Sequence, residues 1–136
     1  PAAAGVVRFD RGVDTRSGLF GLNATTDAST LVVTGAVSGA GGVVVANLNR
    51  ASATPFGTTT VLTGTNTYAG GTRLHSGRLV IASDAALGDP NGIVTATTNL
   101  SNIRLEGNWT TQRALYLIGN TTIDTNGHTM TVQGNG

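Results

Sequence analysis

Residues 32–45, VVTGAVSGAGGVVV, align without a gap on residues 61–74, VLTGTNTYAGGTRL, at an offset of 29 residues. Val32/Val61, Thr34/Thr63, Gly35/Gly64, Ala40/Ala69, Gly41/Gly70 and Gly42/Gly71 are identical pairs. Each copy reads as a short apolar strand, a Thr-Gly turn and an Ala-Gly-Gly corner. Such a unit has an apolar face that it cannot bury alone, so units must stack, and a fixed period of this kind is the mark of a solenoid. Thr129–Gly134 matches Thr30–Gly35 in kind, which predicts that the unit begins again near the end. The chain, residues 1–136, is therefore expected to be one solenoid segment of something longer, cut at both ends.

Working outward, runs with a period of two and rich in Val, Ile, Leu and Thr recur along the whole chain. They are Val6 to Phe9, Thr30 to Thr34, Val43 to Leu48, Thr58 to Thr63, Arg78 to Ala82, Asn102 to Glu106, Ala114 to Ile118, Thr121 to Asp124 and Thr129 to Gln133. Gly, Asn, Asp or Pro bounds each run and supplies a turn conformation, so the pattern predicts many short strands. Helical periodicity is nearly absent; Ser83 to Gly88 is expected to form one turn, started by Ser83 and stopped by Gly88. In Ile103-Arg104-Leu105-Glu106 the alternation turns Ile103 and Leu105 inward and Arg104 and Glu106 to water, and Leu115, Leu117, Ile123 and Val132 continue the inward set. The expected fold is all-β, a parallel β-helix of about six rungs of roughly 20–25 residues, rising ~4.8 Å per rung. Residues 47–57 interrupt the pattern and read as an inserted loop.

Composition narrows the function classes. Only 11% of the 136 residues are charged, under half the roughly 25% of ordinary globular domains. Eight Arg and no Lys stand against seven acids, for a net charge of +1, and the Arg are scattered from Arg8 to Arg113. Nucleic-acid binding needs clustered cations, so no nucleic-acid partner is expected. The absence of Cys excludes disulfides and thiolate metal sites. Apolar-rich stretches such as Val43 to Leu48 fall far short of the ~20 residues of a membrane-spanning helix.

Residues 62–88, LTGTNTYAGGTRLHSGRLVIASDAALG, carry the most specific motif. Thr-Gly-x-Asn-Thr-Tyr-x-Gly-Gly-Thr at 63–72 is followed by x-x-Gly-x-Leu at 75–79 and Ala-Leu-Gly at 86–88. In order and composition this resembles the passenger-associated repeat of bacterial autotransporters, the type V secretion proteins. Ser38 to Gly42 resembles the family's Ser-Gly-x-Gly-Gly corner, and Ile123 to Gly127 its Ile-Asp-x-Asn-Gly turn. The first copy departs from the pattern by lacking Asn-Thr-Tyr, and residues 47–57 stand where the family has a shorter link. The resemblance implies a right-handed helix and gives Thr63, Gly64, Asn66, Tyr68, Gly70, Gly71, Leu79, Leu87 and Gly88 structural roles in the repeat. It also implies a non-catalytic stalk at the cell surface or secreted, displaying an effector carried elsewhere in the parent, with an outer-membrane β-barrel outside this segment as its partner in export. The alternatives are an adhesive surface for a host protein or glycan, or for a second copy, and a β-helix polysaccharide lyase or hydrolase.

The residues themselves offer little chemistry. His75 and His128 have no carboxylate or second His at a ligand or relay spacing, and Ser38 and Ser76 lie in no nucleophile elbow, so no catalytic, cofactor or metal site is expected. Glu106 and Asp124, about one rung apart, are the best candidates for a paired-carboxylate glycosidase. Asp84 and Asp89 are expected to frame the Ala-Leu-Gly turn, and Asp124 to open an Asp-Thr-Asn-Gly turn. Calcium through Asp84, Asp89 and Asn91 lacks any known loop spacing. Tyr68 is expected to pack on a corner, whereas Trp109, Tyr116, Arg104 and Arg113 are the expected partner contacts, with Trp109, at a strand end beside Asn108 and Thr110, the foremost exposed contact among the aromatics. Four Asn-x-Ser/Thr sequons, at Asn23, Asn99, Asn108 and Asn120, are what eleven Asn in a Ser- and Thr-rich chain produce by chance.

Overall fold

A computed structural model of the chain describes residues 5–24, 29–47, 58–98 and 100–134. Among these the strands, in chain order, are β1 (Val6–Phe9), β2 (Val13–Asp14), β3 (Leu19–Ala24), β4 (Thr30–Val33), β5 (Val37–Ser38), β6 (Gly42–Asn47), β7 (Thr59–Leu62) and β8 (Thr72–Leu74). They continue as β9 (Gly77–Ile81), β10 (Val94–Ala96), β11 (Ser101–Leu105), β12 (Trp109–Thr111), β13 (Leu115–Leu117), β14 (Thr122–Asp124) and β15 (Met130–Val132). Every pairing between them is parallel and joins one rung to the next. The first sheet has the order β1-β4-β7-β9-β11-β14 and the second β13-β10-β8-β6-β3. A third face is built from the pairs β2-β5 and β12-β15. The chain is thus a parallel β-solenoid of about five turns. Five rungs carry both main sheets, and β14 and β15 begin a sixth.

The repeat seen in the sequence is the rung itself. Val32 pairs with Val61 on the first sheet and Val43 with Thr72 on the second, both 29 residues apart. Elsewhere the rung is shorter: Thr59 pairs with Arg78 and Asn102 with Thr122. The strands keep their register while the corners absorb the difference in length. Thr129–Gly134 does not restart the unit as expected, because Met130–Val132 pairs with Trp109–Thr111 on the third face, whereas Thr30–Val33 lies on the first sheet. Alternating apolar residues are common to all three faces, and that stretch has no corner to distinguish them.

Alternation fills the interior. Leu31, Thr60, Leu79 and Ile103 form one buried column of the first sheet, and Val33, Leu62, Ile81 and Leu105 the next. The second sheet contributes Val43, Thr72 and Val94, then Leu22, Val45, Leu74 and Ala96. Each buried aliphatic side chain contributes about 1.5–3 kcal/mol before entropy is subtracted. Ile103 and Leu105 point inward with Arg104 and Glu106 outside, as the alternation requires. Leu115, Leu117 and Ile123 are half-buried and Val132 is exposed, because β13, β14 and β15 have a neighbouring strand on one side only among the described residues. Of the loop expected over 47–57, only Asn47, the last residue of β6, belongs to the described residues.

Backbones meet at the Gly-Gly corners. Gly70 N donates to Gly41 O at 2.9 Å, and a Cβ on Gly70 would lie 2.6 Å from both the Gly41 carbonyl carbon and Gly42 N. No side chain fits between corners stacked this closely. Ser83 precedes the 3-10 turn Asp84–Leu87 in extended conformation without a capping bond from its side chain, and Gly88, at φ 79°, ends it.

Two substitutions should shift stability in opposite directions. Gly70→Ala inserts a methyl group against backbone and is expected to cost about 2 kcal/mol or more. Thr60 Oγ1 is buried without a hydrogen-bond partner, so Thr60→Val, which removes that hydroxyl from the column, should gain about 1 kcal/mol. Thermal or urea unfolding of the two variants beside the parent chain measures both.

Candidate functional site

The third face changes character between its two strand pairs. There the Asn-Thr-Tyr segment and the 3-10 turn replace strands, and both are tied to neighbouring rungs. Thr67 N donates to Val37 O at 2.8 Å, and Asn66 N donates to Ala85 O at 2.9 Å. The buried Asn66 side chain accepts from Val37 N at 2.8 Å and donates to Ala86 O at 2.7 Å, so one amide joins three rungs. Tyr68 is fully buried, with its hydroxyl 2.6 Å from Thr72 Oγ1. Burial pushes that hydroxyl up to about 12, against the opposing pull of the Thr72 bond and the Arg113 charge. Gly88 lies against it, since a Cβ there would sit 2.9 Å from the ring. Thr63 Oγ1 donates to Val33 O at 3.2 Å, and Gly64 and Gly71 take positive φ at the turn and the corner. Leu79 and Leu87 are core residues.

Beside this segment lies an open cleft of about 350 Å³ whose wall includes Thr65, Thr67, Asp84, Asp89 and Pro90, with Arg113 behind them. Its geometry is governed by Arg113, whose side chain is 1% exposed. Nε donates to Asp84 Oδ1 at 2.8 Å. Nη1 donates to Asp89 O at 2.6 Å and Leu87 O at 3.1 Å, and Nη2 to Gly88 O at 2.7 Å and Asp84 O at 2.9 Å. A guanidinium has five N–H donors, and here they hold the turn at 84–89 from the next rung. Trp109 Nε1 donates to the same Asp84 Oδ1 at 2.8 Å. Burial alone would raise the Asp84 carboxyl, but hydrogen bonds from Arg113, Trp109 and Thr111, with the Arg113 charge, outweigh it and hold the group below its usual range.

Two of the four expected partner contacts therefore lie inside the molecule. Trp109, expected as an exposed contact, is 0% exposed, because the Asp84 turn of the preceding rung covers it and supplies the acceptor its indole needs. Arg113 is internal for the same reason. Arg104 is part-exposed and held between two carboxylates, at 3.4 Å from Glu106 and 3.2 Å from Asp124, and it also donates to Asn126 Oδ1 at 2.9 Å. Tyr116 is 55% exposed on β13.

Glu106 and Asp124, the candidate glycosidase pair, share Arg104 between them, whereas hydrolysis requires the space between such carboxylates to hold a sugar. Asp124 Oδ1 accepts from Asn126 N at 2.9 Å and Asp89 Oδ1 from Asn91 N at 2.8 Å, so both carboxylates close turns. His75 is exposed beside β8, and His128 is half-buried in the turn before β15. Among the described residues no three His, Cys, Asp or Glu side chains gather closely enough to hold a metal ion. Asn99 lies outside the described residues. The Asp84–Arg113 pair was not legible from sequence: its members are 29 residues apart, and the turn that Asp84 frames does not mark Arg113 as its partner.

Set against family models, curated proteins and solved structures, the chain has no match in any of the three.

Removing one partner of a buried pair leaves the other uncompensated. Arg113→Met is accordingly expected to cost about 3 kcal/mol or more, and Asp84→Asn less, since Asp84 is a quarter exposed. With its folded pKa below the ordinary 3.8, Asp84 contributes stability that is fully present above that value and lost as pH falls through the lower folded value. Unfolding midpoints followed from pH 6 downward should show a shallower acid loss in Asp84→Asn than in the parent chain.

Proposed function

We propose that this chain is a structural, non-catalytic β-solenoid stalk from the passenger of an autotransporter, carrying an effector outward and presenting it at the cell surface. The observation that supports this reading is the use made of the repeat motif. Asn66 and Gly70, and the backbone carbonyls of Tyr68, Leu87 and Gly88, all join one rung to another, and none of these residues offers a free reactive group to solvent. Export would then be coupled to folding: each coil that emerges stacks on one already folded, and burial of its inward column favours further outward movement without nucleotide hydrolysis.

A second reading, an adhesive or self-associating surface, draws on exposed apolar and aromatic groups, Tyr116 and Ile118 among them. Trp109 and Arg113 are internal and contribute nothing to it.

The stalk reading is tested in the full-length parent. Its reading frame past Gly136 should encode further rungs and a C-terminal membrane barrel built of amphipathic strands of roughly ten residues. Leu79→Asp, which places a charge in the inward column, should reduce surface yield and leave the passenger open to protease. A frame without a barrel, or unchanged yield and protease resistance in Leu79→Asp, would overturn the reading.

A further inference from the structure

Of the 3 prolines in the chain only Pro90 follows an aspartate, and Asp89 and Pro90 stand together in the wall of the cleft beside Arg113. The carbonyl of the bond that joins them takes two donors. Arg113 Nη1 donates to Asp89 O at 2.6 Å and Gly92 N at 2.8 Å, so a guanidinium only 1% exposed and a backbone amide converge on one oxygen. Asp89 N donates to Tyr68 O at 2.9 Å, and Asp89 Oδ1 accepts from Asn91 N at 2.8 Å, which fixes the residue on both sides of that carbonyl. The other carboxylate oxygen, Oδ2, has no hydrogen-bond partner among the described residues. Preorganised donors aimed at a carbonyl oxygen, one of them charged and shielded from water, are the arrangement that stabilises an oxyanion.

We infer that the Asp89–Pro90 peptide bond is a self-cleavage site, opened by the Asp89 carboxylate while Arg113 and Gly92 N stabilise the oxyanion. The inference goes beyond the stalk reading and does not depend on it. Oδ2 attacks the carbonyl carbon of its own residue, and the carbonyl electron pair moves onto the oxygen that the two donors hold. As the tetrahedral carbon collapses, a cyclic anhydride closes, the C–N bond breaks, and its electron pair leaves on Pro90 N, which takes a proton from solvent. Water then opens the anhydride, so the net change is one water consumed, a new carboxylate on Asp89 and a protonated amine on Pro90. Proline suits the leaving position, because it has no N–H committed to a ladder and its dialkyl nitrogen accepts a proton more readily than an ordinary peptide nitrogen. Pro90 is exposed, so solvent reaches it, and Asp84 and Arg113 are the charged groups that share the cleft. The nicked chain stays assembled, since β8 pairs with β10 and β9 with β11 across the break.

The test holds the purified chain at pH 5, above the range in which the Asp84 contribution to stability is lost, and follows its intact mass. Fragments of residues 1–89 and 90–136 should appear, their masses summing to that of the chain plus one water. Their rate of appearance should be at least about tenfold above that of the same chain unfolded in urea. The unfolded chain keeps the Asp-Pro sequence and loses the donors, so this ratio measures what the fold adds without substituting Arg113, whose loss would loosen the turn. Asp89→Asn, which keeps an oxygen for Asn91 N, and Pro90→Ala should each slow cleavage of the folded chain at least about tenfold, with unfolding midpoints verifying the fold. Absence of the two fragments, or cleavage no faster in the folded chain than in urea, overturns the inference. Cleavage that either substitution leaves unchanged overturns it in favour of a contaminating protease.

Discussion

Because each interior strand is hydrogen-bonded in parallel to the strand one rung before it and one rung after it, register decides every side chain's neighbours. Proximity in sequence does not. Once Val32 is opposite Val61 and Val61 opposite Val80, the whole first sheet has its inward and outward columns fixed. A slip of one residue would carry the entire inward set to water. The same constraint explains the corners: strands ~4.8 Å apart bring successive turns to backbone contact, and Gly41 and Gly70 stand where nothing larger fits. Rungs of unequal length are compatible with this, because residues inserted between corners leave the register of the strands untouched.

Where a corner is not a simple Gly-Gly stack, its carbonyls need another partner. The turn at 84–89 directs four of them toward the interior of the third face, and Arg113 satisfies them together with the Asp84 carboxylate. In a chain with so few charges this is a concentrated use of one cation. Burying a guanidinium is costly unless every donor is engaged and a counter-charge lies alongside, and both conditions are met. Arg104 shows the contrast: part-exposed, it meets two carboxylates at the surface, where such pairs contribute little.

The sequence made the rung legible because one repeat, at 29 residues, is a direct copy of the structural period. It also made legible the inward and outward sense of Ile103 to Glu106, since alternation needs only local information. Trp109 and Arg113 were misplaced for one shared reason. Their immediate neighbours, Asn108, Thr110 and Gln112, are polar and suggest a surface, but what covers them is the turn around Asp84, 25 and 29 residues earlier. Burial in a solenoid is decided by the adjacent rung, and adjacency across rungs of uneven length is not written locally.

This division between locked and free polar groups shapes what such a molecule can do. The repeat motif commits its polar side chains inward: Asn66 to two backbone groups, Tyr68 to Thr72, Asp84 to Trp109 and Arg113. Asn66 and Asp84 tie one rung to the next, and the Tyr68 hydroxyl is engaged within its own rung. Recognition, where it occurs, must use outward columns, whose residues contribute little to the stacking beneath them. Outward positions can then change chemistry without disturbing the register, and inward positions can keep the register whatever the surface carries. On the proposed reading, a stalk built this way holds its shape during export while its faces remain open to acquire a partner, and the stalk and adhesive roles draw on different residues of the same rungs.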